Sequence, residues 1–83
     1  MYQVFVAKRA RKQLERIPEP DYSKIWQCMR DLAKKPRPTG YKKLKGRESY
    51  RVQRGDCRII YEIQDEFLIV NVPATGHRKD IYE

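Results

Sequence analysis

The chain has 83 residues and a net charge of +8, from 19 Lys and Arg against 11 Asp and Glu. That length builds one small domain, residues 1–83, with a modest core and no room for a large enclosed pocket. The charge favours nucleic acid or another acidic partner, the lack of a long apolar run excludes a membrane-spanning helix, and one histidine with two distant cysteines excludes a multi-histidine or cysteine-rich metal site.

Residues Tyr2 to Val6 alternate and are β-prone, which predicts a first strand. From Ala7 to Ile17 the apolar residues are Ala7, Ala10, Leu14 and Ile17, a narrow stripe on one side of a helix. Lys8, Arg9, Arg11, Lys12 and Arg16 occupy its other sides. Pro18 and Pro20 break the pattern. A second helix starts near Pro20-Asp21, carries Tyr22, Ile25, Trp26, Met29, Leu32 and Ala33 on its apolar face, and stops before Pro36. The short connection predicts an antiparallel helical hairpin.

Residues Lys34 to Arg47 hold Lys34, Lys35, Arg37, Lys42, Lys43, Lys45 and Arg47 and no acid. Pro36, Pro38, Gly40 and Gly46 keep the stretch irregular. Such a run is commonly a solvated surface, but this one leads directly into a cationic hairpin. Tyr50 to Ile63 reads as two strands around a Gly55-Asp56 turn. In that register Arg54 opposes Cys57, Gln53 opposes Arg58, Val52 opposes Ile59 and Arg51 opposes Ile60. Side chains alternate between faces, so Tyr50, Val52, Ile59 and Tyr61 share one and Arg51, Gln53 and Arg58 the other. The second face groups guanidinium and amide donors suited to phosphate.

A third strand, Phe67 to Val72, follows an Asp65-Glu66 turn, with Ile63 opposite Leu68, Tyr61 opposite Val70 and Ile59 opposite Val72. Pro73 marks its end or an irregularity. The predicted fold is α+β: an antiparallel sheet in the order strand-helix-helix-strand-strand-strand, covered on one face by the helical hairpin. Cys28 and Cys57 are expected to be reduced core residues. The N-terminus has no secretory pattern, so a cytoplasmic protein without a membrane partner is expected.

No phosphate-binding glycine loop or activated serine signature is present. What remains is Arg51, Arg58, His77, Arg78, Lys79 and Tyr82. Such a set binds phosphates, stabilises charge on a phosphorane and stacks a base. It suits RNA cleavage by the RNA's own 2′-hydroxyl, without metal or cofactor.

The segments Leu44-Lys45-Gly46, Tyr50-Arg51-Val52, Gly55-Asp56, Arg58 to Ile63 and Gly76-His77-Arg78-Lys79-Asp80-Ile81-Tyr82 resemble the RelE group of the RelE/ParE toxin superfamily. The resemblance covers nearly the whole chain. It implies a toxin of a type II toxin–antitoxin pair that cuts mRNA in the ribosomal A site, held by a cognate antitoxin in a hetero-oligomer. It further implies that Arg51 and Arg58 stabilise the scissile phosphate, that Arg78 assists the leaving group or holds the phosphate, and that Tyr82 stacks on the base. Lys45 and Arg47 then lie along the ribosomal and messenger RNA backbones. Lys42, Lys43, Gln53, Arg54 and Lys79 complete the candidate RNA-binding set.

Two positions depart from the family pattern. Gln53 stands where these toxins commonly carry a basic residue, and Arg51 where some carry lysine. Arginine does not give up its proton in proteins, which leaves His77 as the candidate whose unperturbed pKa suits acid–base work. A ParE-like gyrase inhibitor without enzymatic activity and a catalytically weak RNA-binding relative are the alternatives.

Overall fold

The computed structural model describes residues 1–46 and 48–77. Its elements are β1 (Gln3–Val6), α1 (Lys8–Leu14), α2 (Asp21–Lys34), β2 (Lys42–Lys43), β3 (Tyr50–Arg54), β4 (Cys57–Gln64) and β5 (Ile69–His77), with a 3-10 turn at Asp65–Phe67 between β4 and β5. The strands form one sheet in the order β1-β5-β4-β3-β2. Both helices lie on one face, where Ala10, Leu14, Ile25, Leu32, Val52, Ile59, Tyr61, Val70 and Val72 form the core.

The α+β layering is as the sequence predicts, with two differences in the sheet. β1 pairs with β5 in parallel, so the sheet is mixed. β2 adds a two-residue edge strand inside the basic stretch, paired with Tyr50 and Arg51. α1 is shorter than the predicted span. It closes at Leu14 with tighter bonds, the amides of Arg16 and Ile17 donating to the carbonyls of Gln13 and Leu14, the usual way to satisfy a last turn. Ile17 still reaches the core. α2 follows prediction. Asp21 in its first turn and Lys34 in its last suit the helix dipole. Tyr22 alone leaves the apolar face, exposed and set edge-on against Trp26.

The β3–β4 register is the predicted one in all five pairs from Tyr50↔Tyr61 to Arg54↔Cys57. The β4–β5 register differs. Ile63 pairs with Val70, not Leu68, so the strand slips by two residues. The chain reverses through Asp65–Phe67 and a left-handed Leu68, with φ 54 and ψ 48, instead of a two-residue turn. Asp65 anchors that reversal. Its carboxylate accepts from the Tyr2 hydroxyl at 2.6 Å and from both terminal nitrogens of Arg37 at 3.2 and 2.8 Å. A two-residue slip preserves facing, so Val70 and Val72 still enter the core.

Nor does β5 end at Pro73. Ile60 pairs with Ala74 and Glu62 with Asn71, so Val72 and Pro73 together oppose Tyr61 in a β-bulge. The proline, without an amide to donate, sits where the ladder is already interrupted. Beyond the bulge Thr75 faces α1. Its hydroxyl donates to the Ala10 carbonyl at 2.9 Å, and its amide donates to Gln13 Oε1 at 2.9 Å. Cys28 and Cys57 are free and buried, as expected. No helix among the described residues is long and apolar enough to cross a membrane.

Two stability measurements check these contacts. The buried Tyr61 hydroxyl donates to the Pro36 carbonyl at 2.8 Å and holds the exit from α2 against the sheet. Tyr61→Phe is expected to cost about 1–2 kcal/mol in urea unfolding, since it leaves that carbonyl unsatisfied. The Arg37 guanidinium and the Tyr2 hydroxyl lower the Asp65 carboxyl from 3.8 to about 2. A lowered folded-state pKa contributes stability above the ordinary carboxylate range, and that contribution is lost as pH falls toward 2. Asp65→Asn is therefore expected to flatten the acid limb of the stability curve between about pH 4 and 2, measured by thermal melts.

Candidate nucleic-acid interface

The face of the sheet away from the helices is built by alternation. Reading across the strands, one row runs Gln53, Arg58, Gly76 and the next runs Lys42, Arg51, Ile60, Ala74. Neither row contains a carboxylate. Arg51, Gln53 and Arg58 are each half-buried, so they are held against the sheet by their stems. The residue beside Arg58 on β5 is Gly76, which puts no side chain next to the guanidinium.

An apolar contact gives this face its floor. Leu44 and Ile60 are buried and pack with Ala74. Leu44 is the one aliphatic residue in the basic stretch, and its amide donates to the Ser49 carbonyl at 2.8 Å. The stretch is therefore folded back over the sheet and carries Lys42 beside Arg51. The sequence reading leaves Leu44, Ile60 and Gly76 without a role. An isolated aliphatic between lysines is the signal for the first.

Gln53 is engaged locally. Its Nε2 donates to the Gly55 carbonyl at 3.1 Å and braces the turn. Arg54 donates to the Gln53 carbonyl at 2.9 Å, but its register partner is Cys57, which places it on the helix face. Lys43 pairs with Tyr50, so it has the opposite facing to Lys42, and its Nζ lies 3.4 Å from Glu48. Lys45 is exposed in the turn after β2. The structure thus gathers Lys42, Arg51, Gln53 and Arg58 on one face and does not bring Lys43 or Arg54 to it. Arg47, Arg78, Lys79 and Tyr82 lie outside the described residues.

His77 does not join this face. The bulge makes Cys57 its register partner, and it lines a cleft of about 580 Å³ on the helix side with Gln13, Arg16, Asp21, Asp56 and Thr75. The cleft opens at the end of the sheet and is not enclosed by the core. Burial, with the Asp21 and Asp56 carboxylates, raises the pKa of the Cys57 thiol there, which keeps it a neutral packing group. No cluster of metal-ligating side chains exists among the described residues.

With this geometry in view, a family model described as ParE toxin of type II toxin-antitoxin system, parDE, matches residues 4–82. Among solved structures, the chain is similar to one from the Mycobacterium tuberculosis toxin-antitoxin complex RelBE2, at 26% identity over 93% of this chain and 98% of that one, with a TM-score of 0.82. A chain of the Pyrococcus horikoshii RelE-RelB complex shares 24% identity over 96% of this chain and 98% of its own, with a TM-score of 0.83. The isolated Escherichia coli RelE toxin shares the fold at 21% identity and a TM-score of 0.79, over 93% of this chain and 84% of its own. A search of curated proteins returns no match.

The floor of the face generates a prediction. Leu44→Ala is expected to cost about 2 kcal/mol, at the low end for a buried leucine because the cluster is small. It is also expected to weaken binding of a short oligoribonucleotide, because Lys42, which the folded-back stretch carries beside Arg51, loses its support. Urea unfolding and fluorescence anisotropy check the two effects separately.

Proposed function

Since the chain belongs to the ParE toxin family of type II toxin–antitoxin systems and is a RelE-like toxin of the RelE/ParE superfamily, we propose that it cleaves mRNA in the ribosomal A site. The observation that carries this reading is the two adjacent rows holding Lys42, Arg51, Gln53 and Arg58 without a carboxylate, open beside Gly76. Two guanidinium groups on neighbouring strands match the needs of a phosphodiester better than those of a neutral ligand.

The 2′-hydroxyl of a nucleotide attacks the adjacent phosphate. The bond to the 5′-oxygen of the next nucleotide breaks, leaving a 2′,3′-cyclic phosphate and a 5′-hydroxyl. Charge grows on the non-bridging oxygens as the phosphorane forms. Arg58 and Arg51 are the donors aimed at that charge, and fixed donors of this kind supply a large share of rate enhancement. Lys42 holds the neighbouring backbone. Arg78 and Tyr82 keep the roles that the family resemblance assigns them, leaving-group assistance and base stacking. His77, facing the helices, takes no part. The 2′-hydroxyl proton then passes to a group of the ribosome or to water, since neither arginine accepts one, and the departing 5′-oxygen takes a proton from the same surroundings to become the 5′-hydroxyl. The antitoxin neutralises the toxin by covering this cationic face, and the reaction takes place where ribosomes are, in the cytoplasm.

A second reading has its own support. The matching family model carries the ParE description, and Gln53 cannot accept a proton. A non-enzymatic inhibitor of DNA gyrase on this fold is the alternative.

The deciding experiment is single-turnover cleavage of mRNA on programmed ribosomes, read by primer extension. Wild type is expected to cut, and Arg58→Ala to cut at least about 100-fold more slowly, the usual loss for one charge-stabilising donor. Absence of cut products, with inhibition of gyrase supercoiling, establishes the alternative. His77→Gln is expected to leave both rate and pH profile unchanged. A rise near neutrality that disappears in that variant overturns the assignment of His77.

A further inference from the structure

The face that carries Arg51 and Arg58 has a third row. Beyond Lys42, Arg51, Ile60 and Ala74 come Ser49, Glu62, Asn71 and Phe5, since Tyr50 pairs with Tyr61, Glu62 with Asn71 and Asn71 with Phe5. The character of this row differs from that of the first two. Glu62 is the only acidic residue within the five strands. It is exposed and forms no ion pair among the described residues. The buried Ser49 hydroxyl donates to its Oε2 at 3.4 Å, a long contact that steers the carboxylate and leaves Oε1 open.

A carboxylate beside a phosphate-binding surface costs affinity by repulsion, unless the ligand brings hydrogen-bond donors to it. A phosphate diester brings none; a nucleobase does. An ionised carboxylate accepts through two oxygens and donates nothing, and the Asn71 amide next to it supplies a donor. The row therefore offers two acceptors and then a donor. Guanine has the matching edge: its exocyclic amine and N1–H donate side by side, and O6 accepts beside them. Adenine and cytosine set one amine next to an acceptor nitrogen, and uracil sets one N–H between two carbonyls. Bases of single-stranded RNA are read on this edge and stacked on aromatic rings. Phe5, exposed at the far end of the row, is such a ring.

The spacing fits one nucleotide. Glu62 lies one row beyond Arg51 and two beyond Arg58, about 13 Å along β4 between Cα positions, and the side chains close part of that span. Between them lies the apolar floor of Leu44, Ile60 and Ala74. A nucleotide with its phosphate at the arginines lays its sugar and base across that floor and brings the base edge to the third row.

We propose that Glu62 and Asn71 determine base specificity, reading a guanine next to the phosphate that Arg51 and Arg58 hold. This rests on the nuclease reading above and names the sequence that the same face selects.

The test is single-turnover cleavage on ribosomes programmed with codons that carry guanine, inosine or adenine at each of the two positions flanking the cut. Inosine lacks the exocyclic amine and otherwise keeps the edge of guanine. Wild type is expected to cut one guanine codon about 10- to 100-fold faster than its adenine counterpart, the range for one bidentate contact, with inosine between them. Glu62→Gln exchanges one acceptor for a donor, which suits adenine. It is expected to slow the guanine codon and speed the adenine codon, bringing their ratio to one or below. Equal slowing of both codons, with the ratio kept, marks a structural role and overturns the proposal. A guanine preference that survives unchanged in Glu62→Gln assigns the reading to the ribosome and also overturns it. So does a wild type that cuts guanine, inosine and adenine codons at one rate, and each of these results leaves the nuclease reading standing. A wild type that cuts none of the codons overturns the nuclease reading, and this inference with it. Circular dichroism checks the fold of Glu62→Gln, and the guanine–inosine comparison on wild type decides the matter where that variant does not fold.

Discussion

The structure depends on one extra residue in β5. Opposite Tyr61 the strand spends two residues, Val72 and Pro73, where β4 spends one. Before the bulge, Val70 and Val72 face the helices. After it, Thr75 and His77 do. A strand of unbroken period two turns Ala74 and Gly76 inward and leaves Thr75 and His77 outside. The bulge therefore decides three things at once. It presents Thr75 to the Ala10 carbonyl and locks α1 to the sheet, it places the side-chain-free Gly76 beside Arg58, and it removes the one histidine from the face that carries Arg51 and Arg58. Pro73 suits that position because it has no amide to leave unpaired.

Much of this fold is legible in the residues, and the rest fails for identifiable reasons. The β3–β4 register follows from Gly55-Asp56 because that turn is local and the alternation on either side is unambiguous. The β4–β5 reversal is not local. Asp65 is held by Tyr2 and Arg37, residues brought to it only by the completed fold, and nothing near Asp65 announces a longer loop. The core was nonetheless readable, since a slip of two leaves each side chain on its own face. The bulge was not. Pro73 signals an irregularity without saying whether the strand stops or continues. The parallel pairing of β1 likewise depends on where β5 finally lies. Of the candidate site, the grouping of Arg51, Gln53 and Arg58 and the opposite facing of Arg54 were readable from alternation, while the separation of Lys43 from it needed the pairings themselves.

A chain of 83 residues can cover only one face of its sheet with helices, and its other face would leave Ile60 exposed in the middle. Leu44 resolves this at small cost. By folding the basic stretch back over Ile60 and Ala74 it removes apolar surface from water. The same movement carries Lys42 beside Arg51 at the rim of the arginine rows. One packing contact thus makes the face dry in its centre and cationic at its edge, and a phosphate brought there meets donors that are less screened than on an open surface.

The role of Gln53 follows from its bond to the Gly55 carbonyl. A cation at this position would add charge to the face but would divide its donors between the turn's carbonyl and a phosphate. Glutamine braces the turn, and the turn fixes the register that sets Arg51 and Arg58 side by side. The chain gives up one charge and gains a more rigid pair of donors. Pre-positioned donors need less reorganisation as charge develops, which is where electrostatic catalysis gains its strength. Neither arginine nor glutamine accepts a proton, so the contribution of Arg51, Gln53 and Arg58 is orientation and charge. On the nuclease reading proposed above, the attacking hydroxyl is then activated by the RNA-rich surroundings of the ribosome.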